Sequence, residues 1–285
     1  MSKFSFKGRL QTDPKGVQQL FDFYKFAKQY SNCWFTIDFE QLEWFDANLS
    51  SELLLYCYNL KKNNNLKFFI DYSILKGDLN VLSRNGFAYY VVHNKEHFKP
   101  VDDRETVIPI KAFQPDNVDS FADYIENIFL KQRGLDKIDK DSKDRIKSSY
   151  FEIFDNVGIH ANTKSPIICC GQHFPASGEL KFTLTDYGDG FLKKIAQHTL
   201  NEVKSGADAI SWAVKGGSTK PDAIKGGNGL KKIMMYCFKN GGELSIVSDG
   251  CFWSLQNKSI NSQNLNNCRD GATIHLTFRY LNYML

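Results

Sequence analysis

Apolar residues recur at helical spacing over residues 14–31, where Val17, Leu20, Phe21, Tyr24, Phe26 and Ala27 follow the helix-opening pair Asp13-Pro14. The pattern then shortens to a strand at Cys33–Asp38, a helix at Asp46–Leu60 and a second strand at Leu66–Tyr72. Strand, helix and strand in that order predict a small parallel βαβ layer. A short helix at Leu79–Arg84 and a strand at Phe87–Val92 are expected to complete a first domain over residues 1–112.

From Pro115 onward the character changes. A helix is predicted at Asn117–Arg133, a charged loop at LDKIDKDSKD, and a long helix from about Lys143 to Ala161. Pro166–Gln172 and Leu180–Asp186 alternate as a hairpin would. Helices are expected at Phe191–Leu200, Ala207–Val214 and Gly229–Lys239, and strands at Glu243–Val247, Phe252–Leu255 and Ala272–Arg279. Residues 113–285 therefore read as an α/β sandwich with a mixed sheet. The chain as a whole is of the α/β class, its larger C-terminal two-layer unit preceded by a smaller α/β domain.

Composition narrows the classes of function. With 285 residues, 42% hydrophobic and 24% charged, the chain is globular and long enough for two cores. Its net charge of +4 is spread among interleaved acids and bases, so no nucleic-acid-binding stripe stands out. Seven cysteines without a CxxC pair argue against a disulfide framework or a zinc ribbon, and for a reducing cytoplasm. The opening MSKFSFKGRLQTDPKG lacks a signal-peptide apolar run and no stretch approaches membrane-spanning length, so a cytoplasmic location away from the membrane is expected. Cys169 and Cys170, with His173 nearby, are adjacent on a predicted strand and point to opposite faces, which suits a buried strand better than a metal site.

Three constellations carry chemistry. Glu152, Asn156 and His160 are spaced four apart, a step that drifts by about 40° on a helix, so a carboxylate, an amide and an imidazole share one face. A solvated polar stripe would show the same spacing. Asp186-Tyr187-Gly188-Asp189-Gly190 places a carboxylate at a strand end before a Gly-x-Gly turn. Such an acceptor can take a hydrogen bond from an exocyclic amine such as adenine N6, while glycines let backbone approach a ligand. Gly226-Gly227-Asn228-Gly229-Leu230 is a glycine loop opening into a helix, where free N–H groups and the helix dipole favour phosphate oxygens. Either glycine segment, taken singly, is also an ordinary turn.

In this order the three motifs resemble those of the GHKL ATPase superfamily, which includes the ATPase component of DNA gyrase, the MutL repair protein, the large heat-shock chaperones, sensor histidine kinases and anti-sigma serine kinases. The resemblance spans about residues 117–281 and implies a Bergerat fold that binds ATP with Mg²⁺. Glu152–Asn156 matches the N box, Asp186–Gly190 the first glycine box and Gly227–Gly229 the second; the segment Trp212–Lys220, with Ser218, Thr219 and Lys220, lies where the family keeps its mobile lid. The resemblance implies Asn156 as the Mg²⁺ contact, Asp186 as the adenine anchor, and the glycine loops, with His160 and Leu230, as part of the nucleotide site. Glu152 takes the general-base position, a role typically worth ~10²–10⁴-fold in rate. The closing motif Gly271-Ala272-Thr273-Ile274 departs from the usual Gly-Thr, with Thr273 one place late as the adenine-supporting hydroxyl.

Residues 1–112 resemble a STAS domain in pattern and spacing. At the phosphoacceptor position that family carries an Asp-Ser-Ser-Gly-like helix start, whereas this chain reads Asp46-Ala47-Asn48-Leu49, with Ser50 and Ser51 as remote substitutes. A docking or dimerising module is therefore expected. The helix before the N box holds no acceptor histidine, which disfavours a histidine kinase, and no transducer domain is expected after the closing strand. The leading expectation is Mg-dependent ATP hydrolysis used as a nucleotide-controlled switch on a protein partner or on self-association. The alternatives are a serine/threonine protein kinase of the anti-sigma type, in which Glu152 activates a protein hydroxyl, and an ATP-gated interaction module with negligible turnover.

Overall fold

The computed structural model describes residues 2–92, 100–133, 135, 138–219, 228–266 and 269–279, without the side chains of 159 and 160. Its first unit is built on two parallel crossovers. Strand β1 (Ser2–Leu10) leads through helix α1 (Pro14–Ala27) to β2 (Trp34–Phe45), and α2 (Ser50–Asn64) leads to β3 (Lys67–Phe69), giving a parallel sheet of order β1-β2-β3. The Asp13 carboxylate caps α1 by accepting from the Gly16 amide at 2.7 Å, with Pro14 in the first turn where its missing N–H costs nothing. The expected βαβ layer is present, and β1 adds a strand that the polar alternation of SKFSFKGRL had not suggested.

The expected strand at Phe87–Val92 is instead a helix. The Asn85 side chain accepts from the Phe87 amide and starts the turn of α4 (Phe87–Val91), which follows α3 (Val81–Arg84). Phe87, Ala88 and Val91 then share the buried face, and only Val92 bridges to Phe68. A short apolar run carries no periodicity that separates the two outcomes.

The second unit is a seven-stranded sheet of order β4-β5-β6-β10-β7-β8-β9, comprising Val107–Phe113, Ile167–Phe174, Glu179–Thr185, Ala272–Arg279, Glu243–Ser248, Cys251–Gln256 and Ser259–Asn264 respectively. Every pair in it is antiparallel, so the expectation of a mixed sheet is corrected. Hairpins join β5 to β6 and β7 through β9, and β10 enters between β6 and β7, which leaves no parallel neighbour. Strand β4 belongs to this sheet, so the change of layer precedes Val107, whereas the expected boundary at 112/113 runs through that strand. Strand β9, entirely exposed and polar, has no apolar signature to predict it.

Helices α5 (Val118–Tyr124), α6 (Lys140–His160), α7 (Leu192–His198), α8 (Gly206–Val214) and α9 (Gly229–Asn240) belong to the same unit; α5 runs into a π-helical turn at Ile125–Phe129. One core lies between these helices and the sheet, with Phe121 stacked on Phe154 at 4.2 Å and Phe182, Trp253 and Leu276 buried beside them. The other face of the sheet packs on the first unit. Ile168, Cys170, Val247 and Phe252 join a single cluster with α1 and α2, while Cys169 faces the helices, as alternation along a strand requires. Helix α2 is buried almost all round, including Leu53, Leu55, Tyr56 and Cys57, because it lies against β5 and β6 on one side and against α1 and α4 on others.

The contact between the units is also polar. Asn48 Nδ2 donates to Thr183 Oγ1 at 2.9 Å, the Ala47 amide donates to Gln172 Oε1 at 3.1 Å, and Ser165 Oγ donates to Asn59 Oδ1 at 2.9 Å. Lys181 pairs with the buried Asp46 at 2.8 Å. Burial pushes the Asp46 carboxyl up, but the Lys181 charge and hydrogen bonds from Lys181, Trp44 and Thr12 outweigh it and hold the carboxyl below its ordinary range. Ser50 and Ser51 are fully buried at this contact, out of reach of a phosphate donor.

Candidate nucleotide site

An open cleft lies between α6, α8, the start of α9 and the ends of β6 and β10. Asn156, Asp186, Gly190, Ser218, Thr219 and Leu230 all line it. Six of the residues singled out in the sequence thus meet at one place, drawn from segments far apart in the chain. Its apolar wall includes Ile153, Val157, Ile195 and Trp212.

Asp186 sits at the end of β6, where its amide pairs with the Ala272 carbonyl of β10 at 2.9 Å. Its Oδ1 accepts from the Gly188 amide at 2.8 Å. Burial pushes this carboxyl up to about 6, against the opposing pull of the Arg269 charge and the Gly188 and Ala272 hydrogen bonds. Gly190 turns the chain away with φ +71°, and a Cβ there would stand 2.9 Å from both Asp249 Oδ1 and Ser248 Oγ. Asp249 in turn accepts from the Phe191 and Leu192 amides at 2.9 and 3.0 Å, satisfying the start of α7.

Glu152 lies one turn before Asn156 on α6, beside the cavity rather than in its wall. Its Oε1 accepts from the Asn228 amide at the start of α9, and its Oε2 lies 3.6 Å from Lys232 Nζ. Gly229 permits this approach, since its Cα passes so close that a Cβ would be 3.0 Å from that of Glu152. The N-cap amide of the glycine-loop helix is therefore already turned towards an anionic oxygen.

Thr273 is placed differently from the expectation. Ala272 lines the cavity, so Thr273, one residue on, faces the opposite side of the sheet, where it bonds Thr185 Oγ1 at 2.8 Å and accepts from Arg269. It cannot offer its hydroxyl to a ligand in the cleft. Lys220, Gly226 and Gly227 lie outside the described residues, as does the His160 side chain. Sequence reasoning missed Phe191 and Lys194 in the wall, and Asp249 and Arg269 behind it, and gave Trp212 only as the start of the lid segment. Arg269 stands two residues before the closing glycine, and only the fold shows that it is buried.

Among the described residues no three histidine, cysteine or carboxylate side chains cluster as metal ligands, and no helix is long and apolar enough to cross a membrane. No protein-family model matches the chain, and no curated protein is significantly similar to it.

Proposed function

We propose that this cleft binds ATP with Mg²⁺ in the manner of the GHKL superfamily and that Glu152 drives its hydrolysis. The observation that carries the reading is Asp186, a buried carboxylate in the cavity wall with one oxygen held by the Gly188 amide. An adenine amine would donate to the other oxygen, and the apolar wall would hold the ring. The amides at the start of α9 would take phosphate oxygens, with the Asn228 N–H passing from Glu152 to the ligand.

The residues present fit Mg²⁺, which keeps most of its waters and leans on substrate phosphates, so the single amide of Asn156 is a sufficient protein ligand. When bound, the ion would neutralise phosphate charge. Glu152, released from Asn228, would accept a proton from the attacking water, and Asn156 would orient the triphosphate. The finer fold assignment, a Bergerat sandwich behind a STAS-like module, belongs to the same proposal. Helices on one face of the large sheet and the parallel βαβ layer support it, while the antiparallel sheet departs from it. With no second acid–base constellation in the sequence beyond the three nucleotide motifs, nucleotide-controlled association with a protein partner or a second copy is favoured over metabolism of a small substrate.

Incubating the full chain with γ-labelled ATP and Mg²⁺ tests the reaction. Free phosphate released by wild type and lost in Glu152→Ala, with ATP still bound, is the expected result. Label retained on protein would favour the anti-sigma type of serine/threonine kinase, and no binding of Mg-ATP in calorimetry would refute the nucleotide reading.

A further inference from the structure

Arg269 joins the two halves of the molecule immediately behind Asp186. On one side its Nε donates to Tyr56 Oη at 3.0 Å and lies 3.6 Å from Glu52 Oε1, both residues of α2. Its guanidinium carbon lies 5.5 Å from the centroid of the Tyr56 ring, and Tyr56 donates its own hydroxyl to Glu52. On the other side Nη1 donates to the backbone carbonyls of Asp186 and Asp270, and Nη2 to the hydroxyls of Thr185 and Thr273. The guanidinium thus spans β6 and β10 at the point where both reach the cleft.

The approach is made possible by the backbone. Gly271 adopts φ +93°, and a Cβ there would stand 2.3 Å from the Asp186 carbonyl oxygen and 2.7 Å from Arg269 Nη1, so only glycine lets the chain fold the fork over the strand end. The Glu52 and Arg269 side chains are 0% and 3% exposed. A buried ion pair of this kind is a poor source of net stability compared with apolar residues of the same volume, and its best-attested use is to specify geometry. Here the geometry specified is that of the residue carrying the carboxylate in the cleft.

We propose that Arg269 is a positioning residue for adenine recognition, clamped by Glu52 and Tyr56 so that the N-terminal unit sets the affinity of the cleft for its base. The inference rests on the nucleotide reading above. Arg269 does not itself line the cavity; it acts from behind, through the Asp186 main chain and the Thr185–Thr273 pair.

The test compares binding of Mg-ATP and Mg-inosine triphosphate, which lacks the exocyclic amine, to the full chain and to Tyr56→Phe, Glu52→Gln and the double variant Glu52→Gln/Arg269→Met. The double variant leaves neither member of the ion pair charged and unpaired. ATP affinity is expected to fall about tenfold, the equivalent of one hydrogen bond to a charged group, while inosine triphosphate affinity changes little, so that the ratio narrows. Equal losses for both nucleotides would assign Arg269 a merely structural role and overturn the proposal, as would unchanged ratios in variants that fold. If the double variant fails to fold, Tyr56→Phe, which keeps the ring and both charges, decides alone. Wild type that binds neither nucleotide overturns the reading of the cleft and this inference with it; wild type that prefers ATP with variants that do so equally overturns only the inference.

Discussion

Two buried ionisable side chains give this protein opposing responses to pH. His275 on β10 is held neutral, its imidazole lowered to about 3, chiefly by burial against a weaker opposing pull from Asp46; its Nδ1 lies 2.7 Å from Thr183 Oγ1. Between its ordinary pKa and about 3 the unfolded chain takes up a proton that the native one refuses, so this contribution to stability falls as pH falls. Asp186, raised to about 6, acts the other way, favouring the native state less as pH rises from its ordinary value to about 6. Urea unfolding at pH 6.5 and 5 should therefore show an acid loss that is smaller in His275→Gln than in wild type, by about 1.6 kcal/mol. Equal losses would mean that the imidazole is not buried neutral. Asp186→Asn should weaken Mg-ATP binding by ~1.5–3 kcal/mol, the worth of a charge-assisted acceptor. It should also reduce the decline of ATP affinity below about pH 6 expected of wild type, with calorimetry across that range as the measurement.

At the scale of elements, the cleft depends on helix starts that borrow acceptors from other segments. Helix α7 has no side-chain cap of its own, and Asp249 from the β7–β8 turn supplies one by accepting from Phe191 and Leu192 while also accepting from Ser248 Oγ at 2.7 Å. Asp249→Ala should cost ~0.5–2 kcal/mol in denaturant unfolding, as the loss of an N-cap acceptor does. Because Phe191, Lys194 and Ile195 wall the cavity, ATP binding should weaken with it. A variant as stable as wild type would show that water replaces the carboxylate without penalty. Helix α9 borrows from Glu152 in the same way, and that exchange links the proposed base to the helix that would receive phosphate.

For the whole molecule, the N-terminal unit is the second cover of the large sheet. Thr183, Thr185, Thr273 and His275 are at most 3% exposed on the face it covers. A fragment of residues 107–285 should therefore expose that face and bind a hydrophobic dye or aggregate, rather than fold as a stable domain. In the full chain, unfolding followed at Trp44 of the first unit and at Trp253 of the second, each as the sole tryptophan, should give coincident transitions. Separate midpoints would show two independently stable domains.

Much of the cleft was legible along the chain. The four-residue step from Glu152 to Asn156, the carboxylate before Gly188 and Gly190, and the glycine run into Leu230 are local patterns with local causes, and the cleft collects residues from all three. Helix starts such as Asp13-Pro14 were readable for the same reason, since a cap is a matter of neighbouring residues. What the chain alone could not decide is which groups meet across distance. The alternation KFTLT and ATIHLTFR marks one apolar and one polar face, and a polar face ordinarily means solvent. Only the packing of α2 and the Asp46–Asn48 turn against it shows that face to be interior, with Asn48, Asp46 and Arg269 satisfying its hydroxyls and charges. Thr273 points to that interior and not to the cleft because alternation along β10 is set by its register with β6, Thr273 opposite Thr185, and register is a property of the paired strands rather than of either one.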